Sequence, residues 1–327
     1  MGIVVIGAIF VDIKGFPSAA YIPGGRNVGR VIQIHGGVSR NIAEDIANIE
    51  MRPTFVSCVD DSGISQDVVS KLRNHKIDTR FITTEKDGLG TWLAVFDNDG
   101  DVAAAISKRP DISGITKTLE EHGDEIFENA DSIAIEIDVD REILHKVFEL
   151  AAKHNKDVYA VVSNMSIAVE RRDYIKRCAC FICNQGEAGI FFSDDYCDAT
   201  PEDMQRILCE NVMKAKIPCM IVTLGDKGAV YGTMAGDSGY VPAKRVNVVD
   251  TTGTGDSFFA GVTMGLTYGK GLDEALDIGS RLAASVISTK DNVCPRFLPD
   301  EFGLEEAYAK CEESYRKLYP EEYEETE

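Results

Sequence analysis

Nowhere in this 327-residue sequence does an apolar run approach the ~20 residues that cross a bilayer, so no helical membrane span is expected. Basic residues are also short in supply, with 34 Lys and Arg against 54 Asp and Glu and a net charge of −20. That balance argues against a nucleic-acid backbone or an anionic membrane as partner. It leaves room for a small anion such as a nucleotide, because local donors can outweigh the global field. Much of the acidic excess lies in solvated runs such as the tail from Glu313 to Glu327. No basic region precedes the apolar stretch Ile3–Val11, which contains Gly7 and reads as a buried strand rather than a signal peptide. The nine cysteines are odd in number and lack a small-scaffold disulfide framework, which points to a reducing cytoplasm. Cys178, Cys180 and Cys183 invite a metal reading, but they look like part of a buried strand. Alternation would send Cys178 and Cys180 to one face and Cys183 to the other, and no zinc is expected.

Two common glycine motifs are missing as well. A P-loop needs Gly-x-x-x-x-Gly-Lys-Ser/Thr. Gly269-Lys270-Gly271 fails it, with Met264 at the first glycine position and glycine where the hydroxyl belongs. A dinucleotide fingerprint would need a third glycine at Phe258. The acids about twenty positions on, Asp273 and Glu274, start a helix rather than end a strand.

What the sequence does have is a β-then-α rhythm and enough apolar residues, 44%, for a substantial core. Strands are expected at 3–10, 54–59, 132–137, 157–162, 180–183, 219–223, 229–233 and 245–249. Helices are expected at 38–49, 65–75, 140–154, 166–176, 201–214, 256–268 and 272–288. The alternation predicts an α/β fold with a mainly parallel sheet wrapped by helices. Gly15–Arg30 and Gly88–Arg109 break the rhythm. The second contains two strand-like runs around Asn98-Asp99-Gly100, a hairpin pattern suited to covering a site as a lid, though an idle surface hairpin would look the same.

Chemistry concentrates at residues 246–262, Val-Asn-Val-Val-Asp-Thr-Thr-Gly-Thr-Gly-Asp-Ser-Phe-Phe-Ala-Gly-Val. Val246, Val248 and Val249 look like a buried strand ending at Asp250, and Asp256 looks like the start of an apolar helix. The free N–H groups of a helix start, approached through Gly253 and Gly255, make an anion site. A carboxylate at its lip would repel phosphate, so Asp256 needs a role: an N-cap, a general base, or both, since a cap carboxylate keeps a free oxygen. Near the other end, Gly36-Gly37 precedes a helix whose Asn41 offers a donor and an acceptor to a polyol. Asp12 follows the first strand, where ligands of open α/β sheets bind. Arg40 either reaches a base carbonyl or salt-bridges Glu44 one turn on.

The string Asp-Thr-Thr-Gly-Thr-Gly-Asp closely resembles the signature of the ribokinase-like, phosphofructokinase B-type carbohydrate kinases. Gly-Gly-Val-Ser-Arg-Asn-Ile-Ala resembles that family's N-terminal motif, most of all in its pseudouridine kinases. The likeness covers Ile3 to about Pro299. It implies a three-layer α/β/α core (1–14, 31–87 and 110–327) with a small β lid (15–30 and 88–109). It implies Asp256 as base, with Gly253, Thr254 and Gly255 as the anion hole. Substrate would be bound by Asp12, Gly36, Gly37, Asn41, Arg40, Glu136 and Trp92, Trp92 either stacking on a base or closing a seam between protomers. Asn184 and Glu187 match an Asn-x-x-Glu element that holds Mg²⁺ through water, although the same spacing is a capping pattern. Thr223, Gly225 and Gly228 would meet ATP, with Arg281 to Asn292 along the adenine. Asp250 and carbonyls of 288–294 would take a monovalent cation such as K⁺. The expected activity is ATP-dependent phosphorylation of a hydroxymethyl group on a nucleoside, pseudouridine first, with a free pentose or hexose as alternative. A non-catalytic sugar or nucleotide sensor is the reading from another class. A homodimer through the lid is expected, without nucleic-acid or membrane partners.

Overall fold

The structure is a computed structural model that describes residues 2–99 and 101–322. Its core is a nine-stranded sheet with helices on both faces, and a four-stranded sheet stands apart from it. In chain order the strands are β1 (Ile3–Ile6), β2 (Phe10–Pro17), β3 (Gly29–Gly36), β4 (Thr54–Val59), β5 (Ile82–Thr84), β6 (Gly90–Phe96), β7 (Val102–Lys108), β8 (Ser132–Glu136), β9 (Val158–Val161), β10 (Cys180–Asn184), β11 (Cys219–Thr223), β12 (Ala229–Thr233) and β13 (Ser238–Val241). The large sheet runs β13-β12-β11-β10-β9-β8-β1-β4-β5 and is parallel from β11 to β5, with an antiparallel edge at β12 and β13. Alternate residues of its strands feed two separate cores. Val4, Ile6, Phe181 and Cys183 pack on one side, Ile3, Val5, Cys180 and Ile182 on the other. Both faces are dry, as a parallel sheet between helix layers requires. The expected three-layer α/β/α architecture is what is found.

The strand order also locates a crevice. From β1 the chain proceeds to β4 and β5 on one side, then crosses to β8 and onward on the other. The carboxyl ends of β1 and β8 therefore flank a switch point, where open α/β sheets bind ligands.

Several elements differ from the sequence reading. The first strand stops at Ile6, and Phe10 begins β2 of the smaller sheet, ordered β3-β2-β6-β7. Asp12 is therefore inside a strand of the second sheet rather than just past the first. That sheet takes in residues 10–17 and 29–36, so its strands begin before Gly15 and run past Arg30. The 91–96 and 102–107 hairpin is present, although Gly100 of its turn lies outside the described residues. No strand forms at 245–249, where Val246, Val248 and Val249 are 43%, 66% and 52% exposed. β13 already occupies the sheet edge and Pro242 follows it, so these β-branched residues find no pleated surface to fit. Cys178 precedes β10 and packs with Cys183, opposite Cys180, because strand alternation starts only at Cys180. Helices at Gly114–Asn129, Gln185–Phe192 and Glu305–Leu318 were not anticipated. Among the described residues no helix is long and apolar enough to cross a membrane.

Candidate active site

A helix starting at the crevice carries the acidic glycine motif. It spans Thr254–Thr267, and its N-cap is Gly253 with φ of 78°, not Asp256. Only glycine fits position 253. A Cβ there would stand 2.0 Å from the Asn292 carbonyl oxygen, on top of the strain of a positive φ. At Gly255 a Cβ would meet nothing within 4 Å, so the backbone of the first turn faces open space. Those amides stand at the positive end of the helix, a position with the chemistry to meet an anion. The Thr254 hydroxyl beside them is buried without a hydrogen-bond partner among the described residues.

Asp256 is the third residue of this helix and does not cap it. Its Oδ2 accepts from Asn41 Nδ2 at 2.6 Å, which joins two motifs 215 residues apart. Burial pushes its carboxyl up to about 6, against the Asn41 hydrogen bond and the Arg40 charge, which lower it. A carboxylate titrating there is ionised at neutral pH yet basic enough to take a proton in a transition state.

The helix bearing Asn41, Val38–Asn48, follows Gly36 and Gly37 and is buried almost throughout, charges included. Arg40 is 1% exposed, bonds Glu44, and also donates to the His35 carbonyl and to Asn41 Oδ1. Burial pushes Glu44 up, but Arg40 and Lys71 together hold its carboxyl below the usual value. Asn292 Nδ2 donates to the same Asn41 oxygen at 3.2 Å and to His35 O at 2.8 Å. With its oxygen taken by two donors, the Asn41 amide can offer only its NH₂ to Asp256. Of the two readings of Arg40, the structure contains the ion pair. One residue past Glu44, Asp45 is wholly buried, accepts from Ser257 Oγ at 2.7 Å and Cys294 N at 2.6 Å, and is pushed by burial to about 7. Sequence reasoning missed Asp45, because nothing in its helix pattern marks it as inward-facing.

Glu136 ends β8 at the same crevice. Its Oε1 accepts from Ser39 Oγ at 2.5 Å and Ser39 N at 3.1 Å, and burial together with Asp138 and Asp256 raises it to about 7. Gly7 is hemmed in at the same point, since a Cβ there would lie 2.0 Å from Ser39 Oγ. Asp12 approaches from β2, beside Gly36, with its carboxyl raised by burial against Lys14 and Arg40. Trp92 stands opposite Asp12 in the β2–β6 register, on the same face. Its ring meets Phe96 edge-on at 6.4 Å, and Phe96 stacks on Phe16 at 4.8 Å, an aromatic face continuing outward from Asp12.

The remaining expected residues lie at neighbouring strand ends. Asn184 and Glu187 form a capping box: Asn184 Oδ1 accepts from Glu187 N and Glu187 Oε2 from Asn184 N, each at 2.8 Å. Burial and the nearby Asp138 raise Glu187, despite that hydrogen bond. Asp138, missed in the sequence, accepts from Ser163. Thr223 ends β11, and the turn after it places Gly225 at φ 61° in open space, with Gly228 closing on Leu224 N at 2.7 Å. Asp250 accepts from Thr252 N at 2.8 Å; burial raises its carboxyl, but this bond and the Lys14 charge leave it lowered. Nearby, the Cys294 carbonyl is occupied by Asn48 Nδ2. Arg281 binds Glu301 and stacks on Phe302. A cavity of about 420 Å³ lined by Gly186, Tyr196 and Cys197 lies outside the residues assembled here.

A sequence model described as pfkB family carbohydrate kinase matches residues 2–294. Guanosine-inosine kinase of Exiguobacterium acetylicum is 34% identical over 299 residues, covering 90% of this chain and 98% of that protein. Pseudouridine kinase of Escherichia coli K12 is 24% identical over 266 residues, 80% of this chain and 82% of its own. The structure of Arabidopsis thaliana ribokinase complexed with ribose and ATP superimposes with a TM-score of 0.78 at 18% identity, over 95% of this chain and 98% of that one.

Proposed function

From the premise that this chain belongs to the pfkB family of carbohydrate kinases, we propose that it transfers the γ-phosphoryl group of ATP to a hydroxymethyl group of a nucleoside. It is a sugar or nucleoside kinase; the nucleoside is the finer step. The observation that carries the chemistry is the Asp256 carboxylate, held by Asn41 one residue from Gly255, which faces open space. Asp256 takes the proton of the attacking hydroxyl. The turn amides hold the phosphoryl oxygens, so catalysis is mostly placement and charge stabilisation. Asp12 and the Asn41 amide bind the sugar hydroxyls. Thr223, Gly225 and Gly228 lie on the nucleotide side.

Two features support a nucleoside over a free sugar. One is the likeness to a guanosine-inosine kinase across nearly the whole chain. The other is the face of Trp92, Phe96 and Phe16 running outward from Asp12, which gives a base a surface to stack on once the ribose is bound. The smaller sheet then acts as a lid that excludes water, a competing acceptor. Mg²⁺ held through water beside Glu187, Asn184 and Asp138 draws its support from the repulsion between the two carboxylates, which a cation would relieve. Mg²⁺ would neutralise charge on the leaving phosphates. A K⁺ beside Asp250 has weaker support, because the Cys294 carbonyl is already occupied. The outer face of the lid exposes Val31, Leu93 and Ile106, which supports a homodimer through that face.

The test is an ADP-release assay with guanosine, inosine, pseudouridine, ribose and fructose. Turnover on at least one nucleoside, with kcat/KM above that of either free sugar, is the expected result. Preference for a free sugar overturns the nucleoside step, and ATP binding without turnover on any acceptor overturns the kinase reading.

A further inference from the structure

Lys14 belongs to none of the residue sets considered so far. It follows Asp12 by two positions in β2, so both side chains leave the strand on one face, the face that Trp92 shares. Only 9% of Lys14 is exposed, and its ammonium stands 5.9 Å from the Trp92 ring centroid. Among the described residues it makes no hydrogen bond and no ion pair. The stem is buried, whereas the ammonium is not among the buried unpaired groups, so its charge is presented at the surface of the cleft with no direct partner and is available to a ligand.

Its surroundings define that use. The charge of Lys14 acts on Asp12 on one side and on Asp250 on the other. Asp12 marks the acceptor, and Asp250 heads the turn that cradles phosphate. The ammonium is therefore close enough to act on both, on the strand face that carries Asp12 and Trp92. Four carboxyl groups gather there, Asp12, Glu136, Asp250 and Asp256. Arg40 also acts on Asp12 and Asp256, but it is already locked to Glu44.

We propose that Lys14 is a catalytic residue that binds the transferring phosphoryl group from the side opposite the Gly253–Asp256 amides. This deepens the kinase reading and rests on it. In the transfer, a bond forms between the acceptor oxygen and phosphorus while the bond from phosphorus to the bridging oxygen of the departing diphosphate breaks. The hydroxyl proton goes to Asp256. Negative charge spreads over the three equatorial phosphoryl oxygens, with the helix amides meeting it on one side and the Lys14 ammonium on the other. Lys14 gives up no proton. A compact charge on a flexible stem suits a group that moves as it reacts.

The test compares full-length wild type, Lys14→Met and Lys14→Arg by steady-state kinetics at saturating acceptor. A calorimetric arm compares binding of ADP with binding of ADP plus aluminium fluoride, a mimic of the group in flight. Near-UV circular dichroism verifies folding. Lys14→Met is expected to lower kcat by roughly 10²–10³-fold, the scale for losing one donor to a transition-state oxyanion. Acceptor KM and ADP affinity should barely move, the gain in affinity from aluminium fluoride should vanish, and Lys14→Arg should recover part of both. A raised acceptor KM with intact kcat would place Lys14 on the acceptor instead, and lowered thermal stability with intact kinetics would leave it a packing role. Either result overturns the proposal. Wild type that phosphorylates nothing sinks the kinase reading and this proposal together, whereas active wild type with an equally active Lys14→Met sinks the proposal alone.

Discussion

On one flank of the cleft, Asp256, Ser257 and Cys294 are all tied to the single helix Val38–Asn48 by Asn41 and Asp45, through hydrogen bonds of 2.6–2.7 Å. On the other flank, Gly225 has open space around it and Val246, Val248 and Val249 are exposed, with Val249 N to Ile287 O at 2.8 Å as a backbone tether. The first flank is largely self-contained: apart from Arg40 Nε and the Thr254 hydroxyl, its buried polar groups pair with one another in a dry setting, where such networks are strong and rigid. The second is built from turns and unpaired chain. On the proposed reading the base side is the more firmly held of the two, and the nucleotide side the more open.

The largest effect should come from removing the base. Asp256→Asn keeps the shape and should lower kcat by roughly 10²–10⁴-fold while circular dichroism and melting stay near wild type; full activity would remove the residue from the mechanism. On the same flank, Glu44→Gln strands Arg40 as a buried, unbalanced charge. That should cost about 3–5 kcal/mol in urea unfolding. A loss below ~1 kcal/mol would mean the flank is looser than its geometry says.

A pH series divides the flanks without mutation. With Asp256 near 6, log kcat should rise by one per unit below that pH and flatten above it. Stability should run the other way. Asp45 and Glu136 sit near 7 and Asp256 near 6 in the fold, all above their ordinary values of 3.8 and 4.5. The native state therefore binds protons more tightly than the unfolded chain. The stabilising contribution is full below the ordinary values and is lost as pH rises through 6 to 7. The melting temperature should accordingly increase from pH 8 to pH 6, and Asp45→Asn should blunt that increase. A flat melting curve over this range would count against the buried-acid picture.

The smallest effect belongs to the open flank. Lys244 pairs there with Asp277, both about half exposed, and Lys244→Ala should change stability by less than about 1 kcal/mol. A loss as large as that of Glu44→Gln would erase the contrast between the two sides.

The fold was readable because buried parallel strands announce themselves: β4, β11 and β12 fall where their apolar runs end. The 246–249 run misled for the same reason, since β-branched residues specify a strand only where a sheet has room for one. Within the site, Asp256, Asn41 and the glycines were visible because backbone approach and polar geometry restrict those positions to few residue types. Lys14, Asp45 and Asp138 were not. Lys14 looks like an ordinary surface charge until β2 turns it towards Trp92, and Asp45 lies on a helix whose burial comes from tertiary neighbours on every side. The role of Arg40 was also undecidable from spacing, because an ion pair with Glu44 and a ligand contact predict the same residue.

The amide of Asn41 has a consequence for how this chain can change over time. Arg40 and Asn292 occupy its oxygen, so an aspartate at 41 would face Asp256 carboxylate to carboxylate across the present 2.6 Å. A hydrophobic residue there would take from Asp256 its side-chain partner and from Arg40 and Asn292 one acceptor each. Positions 40, 41, 44, 256 and 292 are thereby knotted into one heritable unit. A lineage that alters any member must revise the others nearly together, and the imprint to look for among descendants is correlated replacement at these five sites while the helix around them drifts freely.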